Sequence, residues 1–395
     1  MNQFNKDIIA ALSSDKDITL NEVLRRQIEV AANQFLQNEL TAVLGYEPHT
    51  RIDRSKDDVN YRNGAYTRTI DTEYGEINLT IPRDRLNKFQ NALFPPYVRR
   101  TDGLEEMVIK MYSKGVTTRE IADMVERMYG HYYSPTTVSN ITKRTEHLVE
   151  EFHERKFKYS QYVCVFLDAT YIPLRRGTVE REAVNVAIGI RSDGGKEVLD
   201  YSIAPTENGA AWSELLQGLR ARGIKDIQLF IADGLVGLQS AIEANYPQAK
   251  FQRCWVHAER NLLGYVRKND RREIITDFKA IRQAENLQAA KERLAAFSAK
   301  WESSYKRRIK NLVQMEELFT FFSFPTAIRQ TIYSTNLIES FNKSLKKMVR
   351  RKEQFPNEGA LDRFIMTQVM EYNDKFENQA HRGFKDCHDT LDSMF

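Results

Sequence analysis

The sequence predicts an α/β protein with a mixed sheet, and three observations carry that prediction. Positions 161–255 show strand-like and helical segments in the order three strands, helix, strand, helix, strand. Positions 257–324 have helical periodicity and no strand pattern. Positions 1–155 are mainly helical, with one hairpin pattern. With 395 residues, 42% of them hydrophobic, the chain can bury cores in two or three domains.

The strands are predicted from apolar runs bounded by turn residues. The first three are QYVCVFLD (161–168), the alternating EAVNVAIGI (182–190) and, after a Gly-rich turn, KEVLDYSIA (196–204). A helix from Ala211 to Arg222 precedes the fourth strand, DIQLFIAD (226–233), and a helix at 235–246 precedes the fifth, AKFQRCW (249–255). This order is the one that an RNase H-like core requires.

The N-terminal region contains two simpler patterns. Apolar residues at helical spacing predict one amphipathic helix from Asn21 to Leu44, for which helix packing or dimerisation is the simplest explanation. Its predicted buried residues are Leu24, Ile28, Ala32, Leu36, Leu40 and Val43. Alternation around Gly75 then predicts a small β-hairpin at 67–85.

Positions 115–148 have the pattern of a helix-turn-helix. The first helix has Thr117 or Thr118 as its N-cap, Gly130 as its stop, and a stripe of Ile121, Met124, Val125 and Met128. The second begins with Ser134 and Pro135, and Val138, Ile141 and Leu148 face inward. It would offer DNA the side chains of Thr136, Thr137, Ser139, Asn140 and Lys143. A helical hairpin with no DNA role fits the same pattern.

Two acids stand at matching places, because Asp168 ends the first predicted strand and Asp233 ends the fourth. An ionised carboxylate near a core must be paired or metal-bound. A single acid at such a position is more often a cap of the next turn or helix. Two matching strand ends could converge at one edge of the sheet, which makes the capping interpretation weaker.

A third acid lies on the predicted helix at 334–352. Its buried stripe is Ile338, Phe341, Leu345 and Met348, and the stripe beside it is Asn336, Glu339, Lys343, Lys346 and Arg350. Positions 340–352 contain six lysines or arginines and no acid. A solvated helix surface usually mixes signs, so this pattern favours contact with a polyanion. Three carboxylates suit Mg²⁺, and two such ions about 4 Å apart support phosphodiester displacement.

Lesser features have plainer alternatives. Cys254 and His257 could suggest zinc, but a structural zinc site needs four ligands and no second pair has suitable spacing. We expect the pair to support the site through packing and a hydrogen bond from His257, with Asn336 as a further support. Arg175 and Arg176 could touch a phosphate or be ordinary surface arginines. The basic run at 306–310 could follow DNA or be a solvated face.

Several segments resemble the Mutator-type family of bacterial insertion-sequence transposases. They include RNGAYTRTIDTEYGEINLTIPRDR, TTREIADMVERMYG, LDATYIPLRR, IADGLVGL, FQRCWVH and STNLIESFNKSLKKMVRRK, in family order over nearly the whole chain. The resemblance implies that Asp168, Asp233 and Glu339 are the catalytic DDE triad and that Cys254 and His257 form the family's Cys-x-x-His signature. Pro173 departs from the family, in which many members have a lysine.

The resemblance also implies an activity and partners. We expect an RNase H-like catalytic domain with an all-α insertion between the second Asp and the Glu, and terminal-inverted-repeat binding by the N-terminal part. Cleavage and strand transfer would use two Mg²⁺ ions, for which Mn²⁺ substitutes, in a homodimer on double-stranded DNA, with a circular DNA intermediate. The residues expected on DNA are Thr136, Thr137, Ser139, Asn140, Lys143, Arg175, Arg176, Lys343, Lys346, Lys347, Arg350 and Arg351.

The organisation expected from these patterns has six segments. They are an N-terminal helical region (1–60), a hairpin region (61–100), the helix-turn-helix (101–155), the first part of the catalytic core (156–257), the all-α insertion (258–328) and the final core helices (329–395). Three scattered cysteines and the lack of a leader or membrane-length apolar run predict a cytoplasmic protein associated with the nucleoid. A nuclease or resolvase that cuts without joining, or a DNA-binding regulator, are the alternatives.

Overall fold

The computed structural model describes residues 18–52, 59–92, 102–129, 132–235 and 237–395. Contacts divide the chain into two compact units, Met1–Arg144 and Thr145–Phe395. The predicted stop at Gly130 and parts of the predicted segments 1–60, 61–100 and 101–155 lie outside the described residues. The division into six segments stays a prediction.

The first unit begins with a helix packed on a hairpin. Helix α1 (Leu20–Leu44) is capped by Thr19, and strands β1 (Arg62–Thr72) and β2 (Gly75–Asp84) pair antiparallel around a turn that ends at Gly75, as predicted. The buried cluster between them is Ala32, Leu36, Ile70, Ile77, Leu79 and Ile81. The predicted helix face was partly wrong, because Val23 is buried and Val43 is 48% exposed.

Three short helices complete the first unit: α2 (Asp102–Ser113), α3 (Thr118–Tyr129) and α4 (Pro135–Thr142). Thr117 caps α3 by exchanging hydrogen bonds with Glu120, and Ser134 caps α4 by accepting from the Thr137 amide at 3.0 Å. The predicted buried face of α3 was partly wrong. Ile121 and Val125 are buried, together with Ala122, but Met124 and Met128 are exposed.

The second predicted helix of this motif was too long. Helix α4 ends at Thr142, and Lys143–Thr145 form a 3₁₀ turn before α5 (Glu146–Glu154). Lys143 therefore lies beyond the end of α4, and Leu148, predicted to face inward, belongs to α5 and is only half-buried while Val149 is buried. The cause is local, since Thr142 folds its hydroxyl back onto the Ser139 carbonyl at 2.8 Å where the helix tightens.

The second unit is built on a five-stranded mixed sheet in the order β5-β4-β3-β6-β7. Its strands are β3 (Gln161–Arg175), β4 (Val179–Ile190), β5 (Lys196–Ala204), β6 (Asp226–Ala232) and β7 (Lys250–Arg253). The β3-β4 and β4-β5 pairs are antiparallel, and the β3-β6 and β6-β7 pairs are parallel. All five strands occur in the predicted order, which gives the chain its α/β class.

Several strand boundaries differ from the prediction by one to three residues, and the end of β3 differs by more. Strand β3 does not end at Asp168 but continues to Arg175, because β4 pairs with it along that whole length. Strand β7 ends at Arg253, and Trp255 already begins a helix, since the Trp255 amide turns to the Tyr333 carbonyl at 3.0 Å.

Helices cover both faces of this sheet. Helices α6 (Gly209–Ala221) and α7 (Leu238–Asn245) pack on one face, over a core that includes Val165, Leu167 and Trp212. Helices α12 (Asn336–Lys352) and α13 (Glu358–Phe376) pack against β3 and β5, and the odd and even residues of β3 face opposite sides. Asp168 is therefore directed away from the Leu167 core and toward α12.

Between β7 and α12 the described chain is helical throughout. The helices are α8 (Trp255–Leu263), α9 (Arg271–Arg282), α10 (Leu287–Val313) and α11 (Thr326–Ile332), with a kink in α10 at Tyr305. A short α14 (His388–Asp392) ends the fold. No helix in the described ranges is long and apolar enough to cross a membrane.

Candidate active site

The sheet places Asp168 and Asp233 at the same level of two neighbouring strands. Phe166 pairs with Ile231 at the last position of the parallel β3-β6 ladder. Asp168 stands two residues after Phe166, and Asp233 stands two residues after Ile231. Because the strands run parallel, both acids leave the ladder at one edge of the sheet.

Asp168 is half-buried and is held by a residue of α12. Asn342 Nδ2 donates to Asp168 Oδ2 at 2.8 Å. Burial raises the pKa of Asp168 to about 6; the hydrogen bond from Asn342 opposes that rise, and the negative charges of Asp233 and Glu339 add to it. Asp233 and Glu339 therefore lie close enough to Asp168 to disfavour its ionised form. Asp233 itself is exposed and forms no hydrogen bond or ion pair with any residue in the described ranges.

Glu339 lies on the first turn of α12 and is surrounded by donors. Arg260 reaches both of its carboxylate oxygens at 3.3 Å, and the Thr335 hydroxyl donates to Oε1 at 3.3 Å. His257 Nε2 lies 3.5 Å from the same oxygen. These long contacts neutralise the carboxylate without enclosing it, since its side chain stays 26% exposed.

Helix α12 divides into the two faces that its sequence pattern predicts, with one correction. Ile338, Phe341 and Leu345 are buried, but the fourth buried apolar residue is Val349, and Met348 is only half-buried. A helix of 3.6 residues per turn drifts from the 3-4-3 spacing and brings Val349 inward. Asn342 joins the buried face, which is how its amide reaches Asp168.

Cys254 and His257 meet Thr335 at the start of α12. The Thr335 amide and hydroxyl donate to Cys254 Sγ at 3.3 and 3.2 Å, and its hydroxyl lies 3.4 Å from His257 Nδ1. Burial raises the pKa of the Cys254 thiol, but hydrogen bonds from His257 and Thr335 outweigh it and the net shift is downward. The hydrogen bond with Cys254 raises the pKa of His257.

Asn336 was predicted to support the site, but the neighbouring Thr335 makes the supporting contacts. Asn336 is exposed, and its side chain makes no hydrogen bond to another residue of the described chain. Thr335 is fully buried and touches Cys254, His257 and Glu339. The reason is position, because Thr335 is the N-cap of α12 and faces the start of α8, while Asn336 has already turned outward.

An open cleft of about 590 Å³ contains Asp168 and Glu339, and α12 lines one side of it with basic residues. They are Lys343, Lys346, Lys347 and Arg350. Within the described residues none of these four forms an ion pair. Arg351 is exposed on the same helix but does not line the cleft. The cleft therefore combines two acids with a row of uncompensated cations.

The donor set suits hard divalent ions, although the side chains are not gathered around one point. Three carboxylates, two of which raise the pKa of Asp168, provide the oxygen ligands that Mg²⁺ prefers. Asp168 accepts one side-chain hydrogen bond and Asp233 none, so most of their oxygens are open among the described residues. No three His, Cys, Asp or Glu side chains of the described ranges are close enough to hold a metal as they stand. A metal held by all three acids would require Glu339 to leave Arg260.

The remaining predicted contacts are scattered over both units. Thr136, Asn140 and Lys143 are exposed in the first unit, whereas Thr137 and Ser139 are half-buried. In the second unit, Arg175 is exposed at the end of β3. Arg176 is paired with Glu182 and Glu358, so a phosphate would have to displace two carboxylates from it. Each of these contacts with DNA stays a prediction.

Three residues that the sequence pattern did not reveal touch the predicted acids: Asn342, Thr335 and Arg260. Asn342 lies three positions after Glu339, one helical turn on, so a polar residue at a buried helix position was the available signal. Arg260 lies 79 residues before Glu339, and no spacing rule connects them.

Known proteins resemble the chain along nearly its whole length. The family model described as "Transposase, Mutator family" matches residues 2–379. The transposase for insertion sequence element IS905 of Lactococcus lactis subsp. lactis (strain IL1403) is 48% identical over 395 residues, which cover 100% of both chains. The transposase for insertion sequence element IS1201 of Lactobacillus helveticus is 50% identical over 373 residues, 94% of this chain and 100% of that one.

A solved structure shows a weaker similarity. The Drosophila P element transposase strand transfer complex covers 77% of this chain and 86% of its own, with 11% sequence identity and a TM-score of 0.30. That similarity is too low to carry an argument about this chain.

Proposed function

Because the chain belongs to the Mutator family of transposases and is a transposase of an insertion sequence element, we propose that Asp168, Asp233 and Glu339 are its catalytic carboxylates. The proposal places them in an RNase H-like core, where they hold two Mg²⁺ ions, or Mn²⁺ in their place. The reaction is cleavage and joining of DNA strands at the terminal inverted repeats of the element.

The observation that carries the proposal is that Asp168 and Asp233 stand at equivalent positions along two neighbouring parallel strands. Asp168 and Asp233 leave the β3-β6 ladder side by side, and Glu339 lies on the first turn of α12, close enough for its charge to act on Asp168. Burial raises the pKa of Asp168 to about 6, and the charges of Asp233 and Glu339 add to that rise, so a bound cation would favour the ionised carboxylate. Divalent ions at this place would supply an activated water or 3′-hydroxyl and stabilise the leaving oxygen.

The protein's own side chains have separate tasks in this scheme. Asn342 fixes the Asp168 carboxylate, and Thr335 fixes the start of α12 and thereby Glu339. The four basic residues of the cleft hold the phosphate backbone on either side of the reacting bond. Arg260 balances the charge of Glu339 until the acid turns toward Asp168 and Asp233.

The proposal extends to the assembly on DNA. The helix-turn-helix of α3 and α4, with Thr136, Thr137, Ser139, Asn140 and the following Lys143, binds the terminal repeats, and two copies of the chain hold the two ends. Excision through a circular DNA intermediate is part of the same proposal.

A strand-transfer assay tests the triad, with purified protein, DNA of the element's ends and Mg²⁺. Asp168→Asn, Asp233→Asn and Glu339→Gln should each lower joining by about a thousandfold or more. The matched control is Asp226→Asn, an exposed acid at the opposite end of β6, which should join normally. Cleavage without joining in the wild type would indicate a nuclease, and binding without cleavage a regulator. Normal joining by any triad variant would overturn the assignment.

A further inference from the structure

A second pocket, of about 330 Å³, shares Asp233 with the candidate active site. The rest of its wall comes chiefly from the helices that follow β7. Leu262 of α8 and Leu312 of α10 are buried and form an apolar floor together with Met315. The pocket therefore joins the reacting edge of the sheet to the α8–α10 helices, and the proposed mechanism does not use it.

One wall of the pocket is an exposed aromatic ring covered by a cation. Tyr265 is 60% exposed, and the guanidinium of Arg308 lies over its ring, 3.2 Å from the ring centre. Arg308 has no ion-pair partner among the described residues. The other arginine of the pocket, Arg253, is paired with Glu317 at 2.9 Å. The Tyr265 and Arg308 planes are thus a stacking surface whose charge is not neutralised.

Two side-chain amides complete the wall. Asn261 and Asn311 line the pocket, and neither side chain makes a hydrogen bond to another described residue. An amide offers one acceptor and two donors, the combination that reads the edge of a nucleobase. Asn311 stands on the same helix as Arg308, α10, and Asn261 stands on α8, whose end is followed by the turn that carries Tyr265. The amides and the stacking surface are therefore held by the same two segments.

We propose that this pocket binds one nucleobase that is unstacked from the DNA end beside the reacting phosphodiester. The assignment rests on the proposed function, since it requires the scissile bond to lie at Asp233. A base fits better than a phosphate because the Asp233 carboxylate disfavours an anion, whereas a flat neutral ring stacks on tyrosine and guanidinium planes. The apolar floor and the volume suit one heterocycle, and base extrusion is how proteins reach atoms inside a duplex.

A base bound in this pocket would distort the DNA at the reacting bond. A base held here draws its sugar and phosphate away from the duplex and toward Asp233, so the bond that reacts lies in locally distorted DNA. Recognition at the cleavage point then depends on unstacking of the end base pairs and not on the basic cleft alone.

Permanganate footprinting tests the pocket without any strand cleavage, because the reagent oxidises thymines that are unstacked. The wild-type chain is bound in EDTA to duplexes of the element's end that carry a thymine at successive positions around the cleavage site. One position should become at least about fivefold more reactive on binding. Tyr265→Ala with Arg308→Gln should remove that reactivity, and Tyr265→Phe should retain it because the ring remains.

The matched control is another Tyr-Arg stack of the same unit. Arg191 lies 4.0 Å from the ring centre of Tyr159, just before β3, away from the acids. Tyr159→Ala with Arg191→Gln should leave the reactive thymine unchanged. A wild-type complex with no reactive thymine, or one whose reactivity survives Tyr265→Ala with Arg308→Gln at equal DNA occupancy, would overturn the proposal. The triad is tested separately by joining in Mg²⁺, so the two proposals fail independently.

Discussion

Helices α1 and α12 are both long, amphipathic and charged, but they differ in whether their charged side chains form ion pairs. On α1, Glu22 forms ion pairs with Arg25 at 2.7 Å and with Arg26 at 2.7 Å, and Arg25 also donates to the Glu76 carbonyl of the hairpin. On α12, the cleft-facing cations have no ion-pair partner in the part of the chain that the structure describes. Their buried faces differ too, since α1 covers a hydrophobic hairpin and α12 reaches the Asp168 carboxylate.

This is the difference that we expect between a structural helix and the ligand-binding helix that we propose for α12. Paired surface charges largely cancel and contribute little beyond about 1 kcal/mol. Unpaired cations in a row beside carboxylates repel one another and create a field that only a polyanion relieves. Similar charge patterns on two helices can therefore indicate different roles. Whether the charged side chains are already ion-paired distinguishes a structural surface from a ligand-binding one.

The largest effect on DNA binding should follow from removing the charges of α12. Combining Lys343→Gln, Lys346→Gln, Lys347→Gln and Arg350→Gln should weaken binding of end DNA by about 10²–10³-fold at moderate salt. The slope of log affinity against log salt should fall by about 3–4, since each lost phosphate contact removes roughly 0.9. Fluorescence anisotropy across a salt series measures both quantities.

The same measurement on α1 is the control. Arg25→Gln with Arg26→Gln should leave the slope unchanged, because those guanidinium groups are already occupied by Glu22. An equal loss of slope in both variants would remove the distinction between the helices.

The two helices also differ in the hydrogen-bond partners of an asparagine that contacts the rest of the fold, Asn33 on α1 and Asn342 on α12. Asn33 of α1 is satisfied by the backbone of β2, accepting from the Thr80 amide and donating to the Asn78 carbonyl. Asn342 donates to a carboxylate, and its own Oδ1 is buried without a partner among the described residues. Asn342→Ala should lower joining and Mn²⁺ affinity by about ten- to a hundredfold, as loss of a group that orients a ligand does.

Asn33→Ala should act on stability alone. It should lower the free energy of unfolding by about 1–3 kcal/mol and leave joining unchanged. Denaturation, calorimetry with Mn²⁺ and the joining assay together distinguish the two asparagines. If Asn342→Ala changed only stability, a positioning role for Asn342 would be excluded.

Stability should depend on pH through Asp168. Its pKa is 3.8 in an ordinary setting and about 6 here, so between those values the folded chain binds more protons than the unfolded one. The free energy of unfolding of the metal-free protein should therefore fall by about 1–3 kcal/mol as pH rises from about 4 to above 6. Asp168→Asn should remove this decline. A pH series of urea denaturations in EDTA checks it, and a parallel decline in the variant would refute the cause given.

The smallest effect is expected on α1. The hydrogen bond from Arg25 lowers the pKa of Glu22 to about 2, so the ionised form is favoured and its contribution persists above the ordinary pKa and is lost as pH falls toward 2. Because this pair is partly exposed, Glu22→Gln at pH 7 should cost only about 0.5 kcal/mol, and less in high salt. A loss above about 2 kcal/mol would show that the ion pair is more than a surface contact.

The sequence was informative where a local pattern coincides with a local structure. The hairpin around Gly75, the five strands and the position of Asp233 directly after β6 follow from alternation, turn residues and apolar runs. Glu339 and the basic face of α12 follow from helical period. In each case the information lies within about 20 neighbouring positions.

What the sequence did not predict depends on partners far along the chain. Strand β3 runs past Asp168 because β4 pairs with it there, and a carboxylate can occupy that position because Asn342 donates to it from 174 residues away. Thr335 rather than Asn336 supports the site because α8 begins beside it. The end of helix α4 is an exception with a local cause, because the Thr142 hydroxyl donates to the Ser139 carbonyl and a 3₁₀ turn begins at Lys143.

The most direct test of the metal-binding triad is joining by Asp233→Cys in Mg²⁺ and in Mn²⁺. A thiolate is a poor ligand for the hard Mg²⁺ ion and a better one for Mn²⁺. Joining should fall by about a thousandfold in Mg²⁺ and recover by tenfold or more in Mn²⁺, beyond any change in the wild type or in Asp226→Cys. Joining by Asp233→Cys at the wild-type rate in Mg²⁺ would contradict the proposal that Asp233 holds a catalytic ion.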